Sequence, residues 1–209
     1  SHEIIWSDDG TLVVADAGVS WDKLVEASVE RSLYGIENLS GIPGSVGGAA
    51  GGNIGAYGSE VSSTLDWVEA LDTVTGEIRR FMNKECELGY RESIFKSEKG
   101  KHLIILRAAF RLSRMGVLDR KYKDVAEYEK DTGEVVSLRE MRRAILTIRA
   151  RKFPGDGSIG TAGSFFKNPV VTGEEADAFL ERFPGAPNFP QDDGRVKLSA
   201  AWIIDHVLE

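Results

Sequence analysis

Residues 41–58 read GIPGSVGGAAGGNIGAYG, and glycine fills eight of these eighteen positions. Glycine loses more conformational freedom on folding than any other residue, so a folded domain concentrates it only for a specific structural reason. One such reason is that glycines let backbone N–H groups converge on an anion. The run is neither a G-x-G-x-x-G motif nor a Walker loop, so the residues alone leave a phosphate cradle and a tight structural turn equally open.

The composition is that of a globular chain with no nucleic-acid or membrane features. The 209 residues are 42% hydrophobic and 28% charged, with a net charge of −7 that argues against a nucleic-acid surface. The sequence lacks the run of about 18 apolar residues that a membrane helix needs, and it shows no secretory leader. The single cysteine, Cys86, and three scattered histidines predict a reducing compartment and no metal site. We therefore expect a cytoplasmic protein that binds neither nucleic acid nor membranes.

The hydrophobic pattern predicts an α+β fold, because strands and helices do not alternate regularly. Period-two or continuous apolar runs predict strands at residues 3–6, 11–18, 65–74, 77–82 and 102–113. Apolar residues three or four apart predict helices at residues 21–35, 137–151 and 173–185, and again near residue 200. Residues 114–137 show no convincing period, so no element is predicted there.

Two further segments carry residues that could do chemistry. Arg91 lies in ELGYRESIFKS (87–97), where its guanidinium could clamp an anion, although a surface arginine paired with Glu92 or Glu87 is the simpler interpretation. Ser164 lies in GTAGSFFKNP (160–169), where its hydroxyl could donate a proton, although a serine that bonds its own turn is the simpler interpretation. The motif is not G-x-S-x-G and no histidine lies nearby, so a hydrolase triad is not indicated.

In this order, four segments resemble the UDP-N-acetylenolpyruvoylglucosamine reductase family over essentially the whole chain: GIPGSVGGAAGGNIGAYG, GYRESIFK, AGSFFKNP and PNFPQDDGRVKLSAAWIID. These flavoenzymes of peptidoglycan precursor synthesis have the vanillyl-alcohol-oxidase-like (PCMH-type) FAD fold. The resemblance implies reduction of UDP-N-acetylglucosamine enolpyruvate to UDP-N-acetylmuramate. It also implies FAD as cofactor, NADPH as reductant, no metal, and a monomeric cytoplasmic enzyme.

The resemblance also assigns roles to individual residues. It implies that Arg91 stabilises an enolate formed from the substrate and that Ser164 protonates it. FAD contacts are implied for Ile42, Pro43, Gly44, Ser45, Val46, Gly47, Asn53, Ile54, Gly55 and Ile105. Substrate contacts are implied for Tyr90, Tyr122, Lys152, Asn168 and Phe189. Phe189 stands where related sequences often carry tyrosine, so one hydroxyl donor would be absent.

The same resemblance implies two domains. Residues 1–153 would be the second part of the FAD-binding domain, and residues 154–209 a truncated substrate-binding domain. The family's preceding FAD-binding half and a third catalytic residue, a glutamate, are expected outside residues 1–209. We therefore expect residues 1–209 alone to be inactive. The alternatives are another FAD oxidoreductase of the same fold and a non-catalytic module that binds flavin or a nucleotide-sugar.

Overall fold

The structure is a computed structural model, and it describes residues 2–152 and 165–208. The chain divides into two compact units, Ser1–Asp156 and Gly157–Glu209. Each unit combines helices with a β-sheet, which confirms the expected α+β class. The functional assignment of residues 1–153 and 154–209 to two domains stays a prediction.

The first unit is built on a five-stranded antiparallel sheet. The strands of this unit, inside and outside that sheet, are Ile4–Trp6 (β1), Leu12–Asp16 (β2), Gly55–Ala56 (β3), Ser59–Glu60 (β4), Leu65–Asp72 (β5), Ile78–Met82 (β6) and Leu103–Arg111 (β7). Its helices are Trp21–Glu30 (α1), Val46–Gly51 (α2), Lys123–Thr132 (α3) and Leu138–Lys152 (α4). The large sheet has the order β1-β2-β7-β5-β6, and β3 pairs with β4 in a separate hairpin.

The main core lies between this sheet and α1, because alternate strand residues and one face of the helix are apolar. The ring of Trp21 on α1 meets the ring of Phe110 on β7 edge to face, with centroids 5.5 Å apart. The Trp21 Nε1 group donates a hydrogen bond to the Leu39 carbonyl at 3.0 Å. The side chain that anchors α1 in the core therefore also fixes the backbone just before the glycine-rich segment.

A second apolar cluster joins α3 to α4. Helix α3 is the longest element that the sequence did not predict; the short helix α2 and the strands β3 and β4 of this unit were not predicted either. Only Val125 and Tyr128 of α3 are buried, and the rest of the helix is largely polar. Two buried residues in ten give too weak a periodic signal to indicate a helix. The buried face of α4, which includes Met141 and Ile145, completes this cluster as its apolar spacing predicted.

The second unit has a three-stranded antiparallel sheet and two helices. Its strands are Val170–Val171 (β8), Asn188–Pro190 (β9) and Val196–Leu198 (β10), in the order β8-β10-β9, and its helices are Gly173–Arg182 (α5) and Ala200–Val207 (α6). Thr172 caps α5 with Glu175 in a reciprocal capping box, at the start of the helix that the sequence predicted. Neither described stretch, 2–152 or 165–208, contains a helix both long and apolar enough for a membrane span.

The glycine-rich segment is held at its first residue by α1 and α4. The carboxylate of Asp22 on α1 accepts hydrogen bonds from Gly41 N at 2.6 Å and from both terminal nitrogens of Arg142 at 2.6 and 2.9 Å. Arg149 Nε donates to the Gly41 carbonyl at 3.0 Å. A Cβ on Gly41 would lie 2.7 Å from Leu146, and the φ of +70° at Gly41 favours glycine. Both the limited space and the backbone conformation therefore require glycine at this position.

Replacing Asp22 by asparagine should lower the free energy of unfolding at pH 7 by about 1–2 kcal/mol, because a charged hydrogen-bonded pair is lost. The hydrogen bond from Arg142 holds the pKa of Asp22 below its ordinary value of 3.8, against the effect of burial. A lowered folded-state pKa stabilises the fold above the unfolded value and loses that effect as the pH falls through the folded-state value. The difference from wild type should therefore be complete at neutral pH and shrink below 3.8.

Urea denaturation at several pH values measures this difference. The exposed Asp8, changed to asparagine, is the matched control and should show a difference near zero throughout. A difference at Asp22 that does not depend on pH would contradict the assignment.

Candidate cofactor and substrate site

Part of the glycine-rich segment is a structural turn. The Ser45 side chain caps α2 by accepting a hydrogen bond from Gly48 N at 3.2 Å. Val46 N donates to the Val19 carbonyl at 2.8 Å, and Gly47 N donates to the Ala17 carbonyl at 2.9 Å. These amides are therefore engaged within the protein.

Two predicted cofactor residues are explained by packing. The Val46 side chain is fully buried in the core. A Cβ on Gly47 would lie 2.8 Å from the Cβ of Ala17, so glycine is required there for α2 to approach the β2–α1 connection. Contact of Val46 and Gly47 with FAD stays a prediction, and a bulky substitution at Gly47 would disturb α2 whether or not a cofactor binds.

Residues 42–45, just before Val46, differ from Val46 and Gly47 because their backbone borders open space. Pro43 and Gly44 are exposed, and a Cβ on Gly44 would meet no atom within 4 Å. Among the described residues, the amides of Ile42, Gly44 and Ser45 donate no hydrogen bond. Unengaged amides beside unfilled space are what a backbone anion site requires.

Half-buried aliphatic side chains accompany this open backbone. Ile42 and Ile54 belong to the segment itself, and Ile105 lies on β7; all three pack against the main core. The Cδ1 atom of Ile105 would lie 3.3 Å from a Cβ on Gly51, so β7 and the end of α2 are in close contact. The open backbone therefore belongs to a segment whose aliphatic side chains pack against the main core.

Asn53 joins three parts of the chain through one buried carboxamide. Its Nδ2 donates to the Gly89 carbonyl at 2.8 Å and to the Glu60 carboxylate at 3.2 Å, and its Oδ1 accepts from Ser62 N at 2.9 Å. Its φ of +39° is uncommon for a residue other than glycine, and this network offsets the strain. The structure thus shows a structural role for Asn53, and its predicted contact with FAD remains a prediction.

Arg91 lies in a tight turn that the glycine-rich segment holds. Gly89 and Glu92 exchange backbone hydrogen bonds at 3.0 and 3.1 Å, with Tyr90 and Arg91 as the two central residues. Arg91 has a φ of +56°, and its guanidinium carbon lies 5.6 Å from the centre of the Tyr90 ring. The two predicted residues are therefore presented together at the tip of one turn.

The Arg91 side chain reaches back to the glycine-rich segment. NH1 donates to the Asn53 carbonyl at 3.2 Å, and NH2 donates to the Gly55 carbonyl at 2.5 Å. Ser93 Oγ adds a hydrogen bond to the Gly51 carbonyl at 2.6 Å. Arg91 is half-buried, and its predicted role stays a prediction. Two of the segments singled out in the sequence are thus brought together.

Two predicted substrate residues also lie close together, near the end of α4. Lys152 Nζ pairs with the Asp124 carboxylate at 2.5 Å. Burial lowers the pKa of Lys152, but the hydrogen bond and charge of Asp124, helped by Tyr57 and Tyr122, leave it raised. The Tyr122 ring contacts the Tyr57 ring edge to face, with centroids 5.3 Å apart. An ammonium that is charged at neutral pH therefore lies close enough to an exposed phenol for the two to interact electrostatically.

The remaining predicted residues belong to the second unit. Asn168 Oδ1 accepts a hydrogen bond from Ala200 N at 2.9 Å and so anchors the start of α6. Phe189 lies on β9, about half exposed, with Lys197 Nζ 5.7 Å from its ring centre. Ser164, the predicted proton donor, lies outside the described residues.

The sequence did not identify several residues that hydrogen-bond to the glycine-rich segment, or to residues of it, from other parts of the chain. Ser93, Glu60 and Arg149 bond to the glycine-rich segment or to its partners, and none stands in a pattern that marks it. Asn38 likewise donates from Nδ2 to the carbonyls of Tyr57 and Asp119, at 3.0 and 2.9 Å. Tyr57 offered a signal, as a large aromatic residue in a glycine-rich run.

Replacing Gly55 by alanine should lower the free energy of unfolding by about 1–3 kcal/mol, the usual range for overpacking. The new Cβ would lie 2.8 Å from Glu60 Cγ, 3.0 Å from the Ser59 carbonyl and 3.2 Å from Arg91 NH1. Gly48 is the matched control, because its Cβ would meet only Ser45 Oγ at 3.5 Å and helix α2 favours alanine. Urea denaturation that showed equal effects at the two positions would contradict this explanation of Gly55.

Comparison with known proteins adds the following relationships. Residues 2–81 match a family model described as an FAD binding domain. UDP-N-acetylenolpyruvoylglucosamine reductases of Pseudomonas aeruginosa and Bdellovibrio bacteriovorus are each 44% identical over 94% of this chain, and that of Chromobacterium violaceum is 43% identical over 94%. The chain spans 58% of the length of each of these relatives.

A crystal structure of UDP-N-acetylenolpyruvylglucosamine reductase from Thermus caldophilus has a similar fold. The match has a TM-score of 0.50 at 21% identity, and covers 88% of this chain and 60% of that one. At this identity the likeness concerns the fold alone. The sequence relatives named above resemble this chain over 94% of its length, and all three are named UDP-N-acetylenolpyruvoylglucosamine reductase.

Proposed function

We propose that this chain is the flavin- and substrate-binding part of an NADPH-driven reductase that converts UDP-N-acetylglucosamine enolpyruvate to UDP-N-acetylmuramate. The observation that carries the proposal is the fixed position of Arg91, whose guanidinium is bonded to the carbonyls of Asn53 and Gly55. This places a charged anion-binding group against the segment that has the open backbone. The relatives that share this sequence at 44% identity carry the name of this reaction.

The open backbone fits the pyrophosphate of FAD. Ile42, Gly44 and Ser45 would offer amide donors, and the space beside Gly44 is free of protein atoms. The half-buried Ile54 and Ile105 would face the apolar part of the cofactor, and Pro43 stiffens the turn. Bound there, FAD would supply the hydride chemistry, taking hydride from NADPH and passing it to the substrate.

Arg91 is suited to stabilising negative charge on the substrate. A guanidinium has five N–H donors, and the two bonds to backbone carbonyls leave others for a carboxylate. Because these bonds hold the group before the substrate arrives, little reorganisation is needed when charge accumulates on the carboxylate. Arg91 would therefore bind the enolpyruvyl carboxylate and stabilise the enolate more than the ground state.

Other residues would hold the nucleotide-sugar and complete the proton transfer. Tyr122 and Lys152 would bind the diphosphate, since an ammonium and a phenol are good donors to phosphate oxygens. Tyr90, beside Arg91, would contribute a further contact. Substrate contacts of Asn168 and Phe189 are implied by the resemblance alone. Ser164 would protonate the enolate carbon, as the resemblance implies.

We further propose that the protein works in the cytoplasm as a monomer. Support for the compartment comes from Cys86, the single cysteine of the sequence. Its side chain is buried, and burial raises the pKa of the thiol to about 12, so it is protected from oxidation. The net charge of −7 supports the expectation that nucleic acid is not a partner.

Replacing Gly44 by alanine should weaken FAD binding roughly tenfold or more, because the new Cβ would fill the space beside amides that we assign to the pyrophosphate. Flavin fluorescence quenching measures the affinity, in a protein that carries this sequence at the full length of its relatives. Gly44 has a φ of +125°, so alanine there is also strained.

Gly133 supplies the control for that strain. Its φ is +95°, and its Cβ would also meet no atom within 4 Å. Alanine at Gly133 should lower stability by about 1–2 kcal/mol and leave FAD affinity unchanged. Equal affinity in both variants would remove Gly44 from the cofactor site, and a wild type that does not bind FAD would overturn the proposal.

Replacing Arg91 by lysine should lower kcat by about 10²–10³, the range observed when a preorganised donor to a developing negative charge is removed. The measurement is NADPH oxidation that depends on UDP-N-acetylglucosamine enolpyruvate, again in the full-length protein. Alanine at Ser93 is the matched control, because it releases the same turn from the Gly51 carbonyl without altering the guanidinium. A kcat as low in this variant as in Arg91→Lys would assign Arg91 a structural role only.

A further inference from the structure

Tyr57 occupies a costly conformation at the end of the glycine-rich segment. Its φ is +49°, which is uncommon for a bulky residue, although glycine follows it and would adopt such a value freely. Its side chain is only 7% exposed and packs in the cluster formed by α3 and α4. A tyrosine kept in this position indicates that its ring has a specific task.

Asn38 fixes Tyr57 relative to the segment that leads to Tyr122. Its Nδ2 donates to the carbonyls of Tyr57 and Asp119, at 3.0 and 2.9 Å. Its Oδ1 is buried and has no hydrogen-bond partner among residues 2–152 and 165–208. A buried carboxamide with an unsatisfied oxygen is unfavourable, so the two donated bonds account for its presence. Asn38 therefore links the backbone at Tyr57 to the backbone at Asp119.

Tyr122 rests on the ring that this arrangement fixes. The two rings meet edge to face, with centroids 5.3 Å apart and an interplanar angle of 77°. Tyr122 is 41% exposed and immediately precedes α3, whereas Tyr57 is buried. The contact therefore places an exposed phenol against a buried ring.

Two positively charged side chains, Lys152 and Arg149, lie near this pair of rings. Lys152 interacts electrostatically with both phenols and is paired with Asp124. The charge of Arg149 interacts with the Tyr57 phenol, and Arg149 also donates a hydrogen bond to the Gly41 carbonyl. Burial raises the pKa of Tyr57, so its phenol stays neutral at physiological pH. The charged groups that face Tyr57 are therefore Arg149, Lys152 and Asp124.

We propose that Tyr57 is a positioning residue that seats Tyr122 beside the Lys152 ammonium, so that this phenol and ammonium together receive the diphosphate of a nucleotide-sugar. The inference rests on the proposed function, which assigns the diphosphate to Tyr122 and Lys152. Tyr57 acts through Tyr122 and does not itself touch the substrate. Asn38 supports it by holding the backbone of both segments.

Titration of UDP into the full-length protein by calorimetry tests this role, with UDP as a probe that carries the diphosphate. Replacing Tyr57 by leucine should raise the Kd for UDP about tenfold, as expected when a fixed aromatic contact is lost. Replacing Tyr57 by phenylalanine keeps the ring and should restore the Kd to within about twofold of wild type. In Tyr122→Phe, leucine at Tyr57 should add little further loss, because the hydroxyl that it positions is already absent.

Tyr128 provides the matched control for lost packing. It is also 7% exposed and belongs to the same cluster, but it lies within α3 and its ring makes no aromatic contact with Tyr122 in the described part of the chain. Tyr128→Leu should lower stability as Tyr57→Leu does and leave the Kd for UDP unchanged.

The outcomes separate the two hypotheses. Equal UDP affinity in Tyr57→Leu and wild type, or equal losses in the Tyr57 and Tyr128 variants, would overturn the positioning role alone. A wild type that does not bind UDP would contradict the proposed substrate site and, with it, this role of Tyr57.

Discussion

Hydrogen bonds from distant side chains to the backbone of residues 41–58 are the constraint on which the site depends. A segment so rich in glycine has few side chains of its own with which to fix its conformation, and ordering it carries a large entropic cost. The fixing groups therefore come from elsewhere: Asp22 and Arg149 bond to Gly41, and Arg91 bonds to the carbonyls of Asn53 and Gly55. The glycines in turn leave room for these groups to approach.

This arrangement divides the segment into two functional parts. The amides of Val46 and Gly47 bond to the β2–α1 connection and anchor α2 to the sheet. The amides of Ile42, Gly44 and Ser45 bond to no described residue and border open space. Of the two interpretations that the sequence left open, a structural turn describes Val46 and Gly47, and an anion cradle stays our proposal for residues 42–45.

The sequence predicted most of the fold because its main elements have strong local patterns. The strands of the large sheet and the helices α1, α4 and α5 follow apolar periodicity and capping signals. Helix α3 was missed because only Val125 and Tyr128 are buried in it. Its existence depends on packing against α4, which a local pattern does not encode.

The resemblance named candidate site residues but not the residues that support them. Arg91, Tyr122 and Lys152 were identified by resemblance, and their roles stay predictions; the structure shows that Arg91 bonds to the Asn53 carbonyl, that Tyr122 contacts Tyr57, and that Lys152 pairs with Asp124. Their supports were not identified, because Asn53 reaches Gly89 and Asn38 reaches Asp119 across long stretches of sequence. Contacts of this kind are a property of the tertiary fold and leave no mark on local spacing.

The link between Gly41 and α4 has a consequence for the order in which the protein acquires its structure during synthesis. Arg149 follows Gly41 by 108 residues, and Arg142 follows Asp22 by 120. At translation rates of about 5–20 residues per second, the glycine-rich segment leaves the ribosome roughly 5–20 s before the helix that pins its first residue exists. Closing so long a loop comes after local structure has formed. The contacts that hold Gly41 are therefore completed only once α4 has been synthesised and has docked, after the β-strands of the large sheet have already emerged.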